Sequence, residues 1–225
     1  MNQPQLPPKG AAFGLSFSGG KDGLLALWRA KAAGAVPQVL VNMLIETGGR
    51  SRSHGLRSEV IAAQAASMGI ELVHGAASWG DYEARFIEVL SGLKARGIEH
   101  MVFGDIDLED HRLWEERVCA AAGVTAHLPL YLNARVAMLE EFIAAGFKAM
   151  IVAVKDGVMD PAFLGRLLDQ DLKEELARLG IDPCGEEGEY HSLVVDGPLF
   201  THEVKVVPGE RVLRDGVWFL DLDLA

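Results

Sequence analysis

The sequence predicts an α/β fold: a mostly parallel sheet flanked by helices, followed by a smaller mixed α+β region. Three observations predict it. Helix-like stretches end in glycine and run at once into apolar segments, as in "ASMGIELVHG", "KARGIEHMVFGD" and "IAAGFKAMIVAV". Glycine just past a helix supplies the left-handed residue that ends it. The apolar segments are short and nearly continuous, which suits parallel strands covered on both faces. The alternation then breaks after about Asp156, where helical, loop and hairpin-like text replaces it.

Taken in order, "AFGLSFS", "QVLVNML", "ELVHG" and "HMVFGD" read as strands, each followed by helix-like text. This alternation specifies βαβ units. The proline-containing "HLPLYLN" is the expected joint. It divides an α/β domain at 1–124 from a second domain at 125–225. Helical text runs from Pro161 to Leu179, and a loop, "PCGEEGEYHS", follows. "RVLRDGVWFL" predicts a hairpin, because Asp215-Gly216 suits a two-residue type I′ turn.

Composition narrows the function. A total of 21 basic residues against 32 acidic ones gives a net charge of -11. That balance argues against a bulk electrostatic grip on nucleic acid. Cys119 and Cys184 are the only cysteines, too few for a disulfide framework and without a CxxC pattern. The start, "MNQPQLPPKG", is polar and proline-rich with no apolar leader, and no apolar run reaches the length of a membrane span. A cytoplasmic location is the expectation.

The chemistry concentrates in three segments. "SFSGGKDG" lies between a strand and a helix, where backbone N–H groups and the helix dipole favour an anion. Gly19 and Gly20 allow close backbone approach to a phosphate, and Lys21 adds positive charge. A tight turn with a solvated lysine is the bland alternative. The P-loop pattern fails at Leu15 and Asp22, and a dinucleotide fingerprint is absent. A nucleophile elbow centred on Ser18 is a nearer miss, but it leaves Lys21 and Asp22 without a role.

The second segment, "GDIDLEDHRLWEERVCAAAG", puts acids just after a strand. Ligands of open α/β sheets bind beyond the carboxyl ends of strands. Carboxylates there suit Mg²⁺, which prefers oxygen ligands. Asp105 is the leading candidate, and a solvated loop is the alternative. The third, "CGEEGEYHSLVVDGPLF", sets glutamates among glycines before a strand. Within it His191 suits either acid–base work or a strand cap, and Cys184 reads as inert.

Together these segments resemble the diphthine–ammonia ligase family of ATP-binding proteins, with "RSRSHGLRSEVIAAQAASMGI" as a weaker fourth element. The first resembles the pyrophosphate loop of N-type ATP pyrophosphatases. The resemblance implies a HUP-type, Rossmann-like domain and a family-specific C-terminal region. It implies ATP and Mg²⁺, a carboxylate acceptor that is adenylated, and ammonia as the nitrogen donor; a homodimer is left open.

It places Ser16, Ser18, Gly19, Gly20, Lys21, Asp22, Gly23, Asn42 and Gly104 around the nucleotide. Asp22 and Asp105 would hold the metal. Lys21, Asp22, Asp105 and Glu189 would act in catalysis. His54, Glu187, Gly188, Glu189, Tyr190, His191 and Ser192 would meet the acceptor. Two positions depart from the family pattern: Gly23 replaces a serine and Ser192 a threonine. A tRNA-modifying enzyme on the same ATP fold and a non-catalytic nucleotide-binding module are the rival readings.

Overall fold

The computed structural model describes residues 6–52 and 54–225. The first five residues of the polar start and Ser53 of "RSRSHG" lie outside the described residues.

The first half alternates strand and helix. β1 (Ala12–Ser16), α1 (Lys21–Ala32), β2 (Val36–Ile45), α2 (Ser58–Met68) and β3 (Glu71–Ala77) come first. α3 (Tyr82–Ala95), β4 (His100–Val102), α4 (Glu109–Ala122) and β5 (Thr125–His127) complete it. The five strands form one parallel sheet in the order 3-2-1-4-5. β5 pairs with β4, so this sheet reaches past residue 124. Chain direction reverses across the sheet between β1 and β4, and this switch point opens a crevice at the carboxyl edge.

The two faces follow from period-two alternation along the strands. Val39, Val41 and Met43 of β2 face the apolar side of α3 and α4, against Phe86, Leu90 and Val118. Leu40 points the other way, with Phe13 and Leu15 of β1, into a core shared with α1 and α2. Burying each such side chain contributes about 1.5–3 kcal/mol before chain entropy is set against it. α2 and α4 end at Gly69 and Gly123, both left-handed.

The second half builds a four-stranded antiparallel sheet. α5 (Arg135–Ala144) precedes β6 (Lys148–Lys155), and α6 (Gln170–Arg178) precedes β7 (Tyr190–Asp196). β8 (Val206–Arg214) and β9 (Val217–Leu224) close it, in the sheet order 7-6-9-8. The β8–β9 hairpin turns at Asp215 and Gly216, both at positive φ, as its Asp-Gly pair predicts.

The helix read over Pro161–Leu179 is broken. Pro161–Phe163 forms a short 3₁₀ turn and α6 starts only at Gln170. Between them Gly165 takes φ +90°, and residues 165–168 hydrogen-bond to Ile151 and Ala149 of β6. A long-range strand contact thus outweighs local helix propensity.

The two sheets share a core. Leu25 of α1 and Ile61 of α2 belong to the same buried cluster as Ile151 of β6 and Val194 of β7. Arg29 of α1 fastens the connection between the halves. It donates to the Pro129 carbonyl at 2.9 Å and pairs with Glu141 of α5. Among the described residues, no helix is long and apolar enough to cross a membrane.

Candidate functional site

A cavity of about 700 Å³ opens at the carboxyl edge of the parallel sheet. Ser16, Ser18, Asp22 and Gly23 line it from the first strand–helix junction. Asn42 lines it from β2, His54 from the segment before α2, and Gly104 and Asp105 from beyond β4. Glu186 and His191 reach it from the second half. Residues far apart in sequence therefore meet at the switch point.

The glycine loop is clamped from both sides. The Val194 N–H donates to the Gly19 carbonyl at 2.9 Å. Gln64 of α2 donates to that carbonyl at 3.0 Å and to the Val194 carbonyl at 2.6 Å. The Lys21 N–H donates to Ser192 Oγ at 3.2 Å. Gly19 has φ +87°, and a Cβ there would lie 2.6 Å from Gln64 Oε1. A Cβ on Gly20 would lie 2.5 Å from His54 Cε1. Gly19 is required by its left-handed backbone, and a side chain at Gly20 would have to displace the His54 ring. Gly20, the N-cap of α1, has no side chain to cap it, and the Ser192 hydroxyl takes up the first N–H instead.

Lys21, Gly19 and Gly20 stand behind the cavity wall. The Lys21 ammonium is buried, 2.8 Å from Asp22 and 3.2 Å from Glu186, above the Tyr190 ring. Burial works against its charge, yet Asp22 and Glu186 hold its pKa well above the usual lysine value. Glu186 is pushed up to about 7, by burial first and then by the charge of Asp22, against the pull of Lys21.

The 186–192 loop divides its residues between two places. Glu186 faces the cavity. Glu189 turns inward, accepting from the Glu187 N–H at 2.9 Å and the Asp182 N–H at 3.3 Å. It therefore shapes the loop. Glu187 and Glu189 line a separate open groove of about 650 Å³ beside Arg135 and Asp182. Gly188 supplies a positive φ for the turn, and the buried Tyr190 hydroxyl donates to the Pro183 carbonyl. Arg135 ties the two loops together, 2.6 Å from Asp107 and 2.8 Å from Asp182. Cys184 donates its thiol to the Arg135 carbonyl, and burial pushes its pKa up to about 12, so it is inert.

His54 and His191 stack with ring centroids 4.7 Å apart. Burial, with Lys21 adding, lowers His191 to about 4, and burial with His191 and Lys21 holds His54 well below the usual range. Both rings are neutral at pH 7. Asn42 donates to the Phe17 carbonyl at 2.7 Å and fixes the loop from β2.

Across the cavity, Asp105 lies 2.7 Å from His111 Nδ1 and hydrogen-bonds Glu115. Burial opposes the Asp105 charge, but these two hydrogen bonds hold its pKa low. Burial and the charge of Asp105 push Glu115 well up.

Glu115, Glu186, Gln64 and the aromatic wall of Trp79, Tyr82 and Trp114 are absent from the sequence-based candidates. A signal existed for two of them. Glu115 is in helical phase with the buried Val118, Cys119 and Ala122, and Gln64 with Val60 and Ile61. A polar residue on an apolar stripe marks a buried polar contact.

Two predictions arise here. A Cβ on Gly23 would touch only the Ser16 carbonyl, at 3.6 Å, and the backbone is right-handed. Gly23→Ser is therefore expected to fold and to gain up to ~1 kcal/mol of helix propensity. A fall in melting temperature would show the space to be needed. The second concerns pH. The folded-state pKa of Glu186 is raised from 4.5 to about 7, so folding binds a proton and stability falls as pH rises through that window. For His191 the pKa is depressed to about 4, so stability rises with pH between about 4 and 6.5. The two trends oppose. Glu186→Gln removes the falling one, so its denaturation midpoint should climb more steeply from pH 4.5 to 7 than that of the unaltered protein. Parallel profiles would contradict this.

A 3-2-1-4-5 parallel sheet with a glycine loop at its first crossover, joined to an antiparallel sheet, defines a two-sheet α/β protein with a Rossmann-like first sheet. The chain belongs to the diphthamide synthase family: residues 12–126 match the diphthamide synthase N-terminal domain and residues 134–223 its C-terminal domain. It is 31% identical over 140 residues to the diphthine–ammonia ligase of Homo sapiens, covering 60% of this chain and 52% of that protein. The corresponding protein of Rattus norvegicus is 30% identical over 140 residues, covering 60% and 52%. That of Danio rerio is 28% identical over 121 residues, covering 52% and 48%. The chain spans about half the length of the curated relatives it matches.

Proposed function

We propose that this protein is an ATP-dependent amide ligase that adenylates an acceptor carboxylate and joins it to ammonia, releasing AMP and pyrophosphate. One observation carries the reading: Ser18, Asp22 and Gly23, which flank the loop glycines at the start of α1, line the same cavity as Glu186 and His191 of the C-terminal half. An activated phosphate and an acceptor would meet there. The diphthine–ammonia ligase name of the relatives supports the reaction class.

ATP would supply the activated α-phosphate, gripped by the 18–23 backbone at the α1 N-terminus. Lys21 would stiffen this loop as well as contribute charge, since its ammonium is held by Asp22 and Glu186. Neutral His54 and His191 offer ring nitrogens without adding charge. The cavity wall carries Asp22, Glu83, Asp105, Glu115 and Glu186, so a polyphosphate needs accompanying cations. Among the described residues, no group of three or more His, Cys, Asp or Glu converges to cage a metal. Mg²⁺ fits this wall in the way it usually meets phosphates, through one or two carboxylates with phosphate and water completing the shell. Asp22 would be such a carboxylate, and Mg²⁺ would neutralise phosphate charge there.

The test is pyrophosphate release from ATP in the presence of Mg²⁺, ammonium and a panel of carboxylates that includes diphthine-bearing protein. Release that depends on both ammonium and one carboxylate is expected. Tight ATP binding with no release under any combination would favour a non-catalytic nucleotide-binding module.

A further inference from the structure

Asp105, just beyond the end of β4, and Glu115, in α4, sit carboxyl to carboxyl. Both line the cavity, and Glu115 hydrogen-bonds Asp105. Glu115 is 4% exposed, lines the cavity, and its Oε2 has no hydrogen-bond partner. A buried acceptor left unmatched is costly, and such an atom points to a donor that binds there. Around it stand rings. Tyr82 and Trp114 line the same cavity with centroids 5.8 Å apart, and Trp114 is fixed by donating Nε1–H to Glu83 at 2.9 Å. The nearby cations have partners elsewhere, although Arg52 Nε is buried without one. Arg52 is bonded to Glu46 and lies over Trp79, and His111 is bonded to Asp105.

We propose that the Asp105–Glu115 pair, with the Tyr82 and Trp114 rings, binds an ammonium-type cation, and that in the ligase reaction this cation is the ammonium ion that brings the amide nitrogen. The donor set selects for it. An ammonium ion presents N–H donors to the free Glu115 oxygen and to Asp105, and its charge is attracted by ring faces. A hard divalent ion gains nothing from the ring faces beside the pair, whereas an ammonium ion is held by them as well as by the carboxyls. Gly104, next to Asp105, packs against the first turn of α1, so the cation would wait beside the loop where the acceptor is activated. The second clause rests on the ligase reading; the first does not.

The experiment is a titration of the protein, without ATP or acceptor, with ammonium chloride against sodium chloride at constant ionic strength. Tryptophan emission and melting temperature are read together: emission changes saturably as the site fills, and a ligand of the folded state raises the melting temperature. Ammonium is expected to saturate and sodium not. Glu115→Gln and Asp105→Asn should each raise the half-saturating ammonium concentration at least tenfold, with circular dichroism confirming the fold. Trp218→Phe, remote from the cavity, should leave it unchanged. Identical responses to the two salts, or undiminished ammonium binding in both folded variants, would overturn the proposal. If Glu115→Gln does not fold, Asp105→Asn and the salt comparison decide.

Tetramethylammonium chloride provides a separate arm. Should it saturate the site and displace ammonium, the cation site stands and the nitrogen-donor clause falls, because the site then suits an alkylated ammonium group on the acceptor. Ammonium-dependent pyrophosphate release without ammonium binding at this pair would leave the ligase reading intact and remove this proposal alone.

Discussion

Gly104→Ala is expected to cost about 1–3 kcal/mol of stability, the usual range for overpacking a filled interior. In a chain of this size that corresponds to a melting temperature lower by roughly 5 °C. The reason is that its Cβ would meet main chain. It would lie 2.7 Å from Gly23 N, 2.8 Å from the Asp22 carbonyl carbon and 3.0 Å from Gly23 Cα. No rotamer change relieves such a contact. The first turn of α1 must instead move away from the end of β4, carrying the glycine loop with it. On the proposed function, ATP affinity falls at least tenfold as well, about 1.4 kcal/mol. Gly20→Ala is the informative comparison, since its Cβ meets the His54 side chain, which can yield at the expense of its stack on His191. Scanning calorimetry and ATP titration check both. Unchanged stability and affinity in Gly104→Ala would show that the two segments separate freely.

Lys21→Met is expected to destabilise the fold by about 2–3 kcal/mol at pH 8, somewhat below the range for breaking a fully buried ion pair, because Asp22 is partly solvated. The loss comes from the anions left behind. Asp22 and Glu186 face each other without the ammonium that joined them. Glu186 already titrates near 7 with the lysine present, and without it rises further. At pH 5 the Glu186 carboxyl is protonated in the folded state, the repulsion vanishes, and most of the stability returns. Lys21→Met combined with Glu186→Gln should recover it at pH 8 too. Denaturant titrations at the two pH values read this directly. An equal loss at both, with no recovery in the double variant, would mean that Lys21 acts only through packing.

The parallel sheet and the glycine loop were legible because they are written locally. Apolar runs, glycine stops and "SFSGGKDG" each sit within a few residues, and backbone sterics translate them directly. The division of labour among Glu186, Glu187 and Glu189 was not legible. A loop has no period to fix side-chain direction, and only the distant Lys21 and Arg135 and the neighbouring N–H groups decide which acid faces the cavity. Residues 164–168 were misread for a related reason: their partner is β6, and helix propensity carries no knowledge of it. Glu115 and Gln64 were readable in principle, as polar residues in phase with core positions, but what each contacts depends on the fold around it.

The clamp on the glycine loop has a consequence for the order in which the molecule assembles. Lys21 and the Ser192 hydroxyl that meets it are 171 residues apart, and Val194 closes on Gly19 from the same strand. A nascent chain that has emerged only through β5 already holds all five strands of the parallel sheet. Its glycine loop still lacks the strand that fixes it. The loop is finished only when β7 arrives, at the cost of closing a long stretch of chain. On the proposed function, nucleotide would therefore gain its full grip only once β7 has docked, and binding would report on that step.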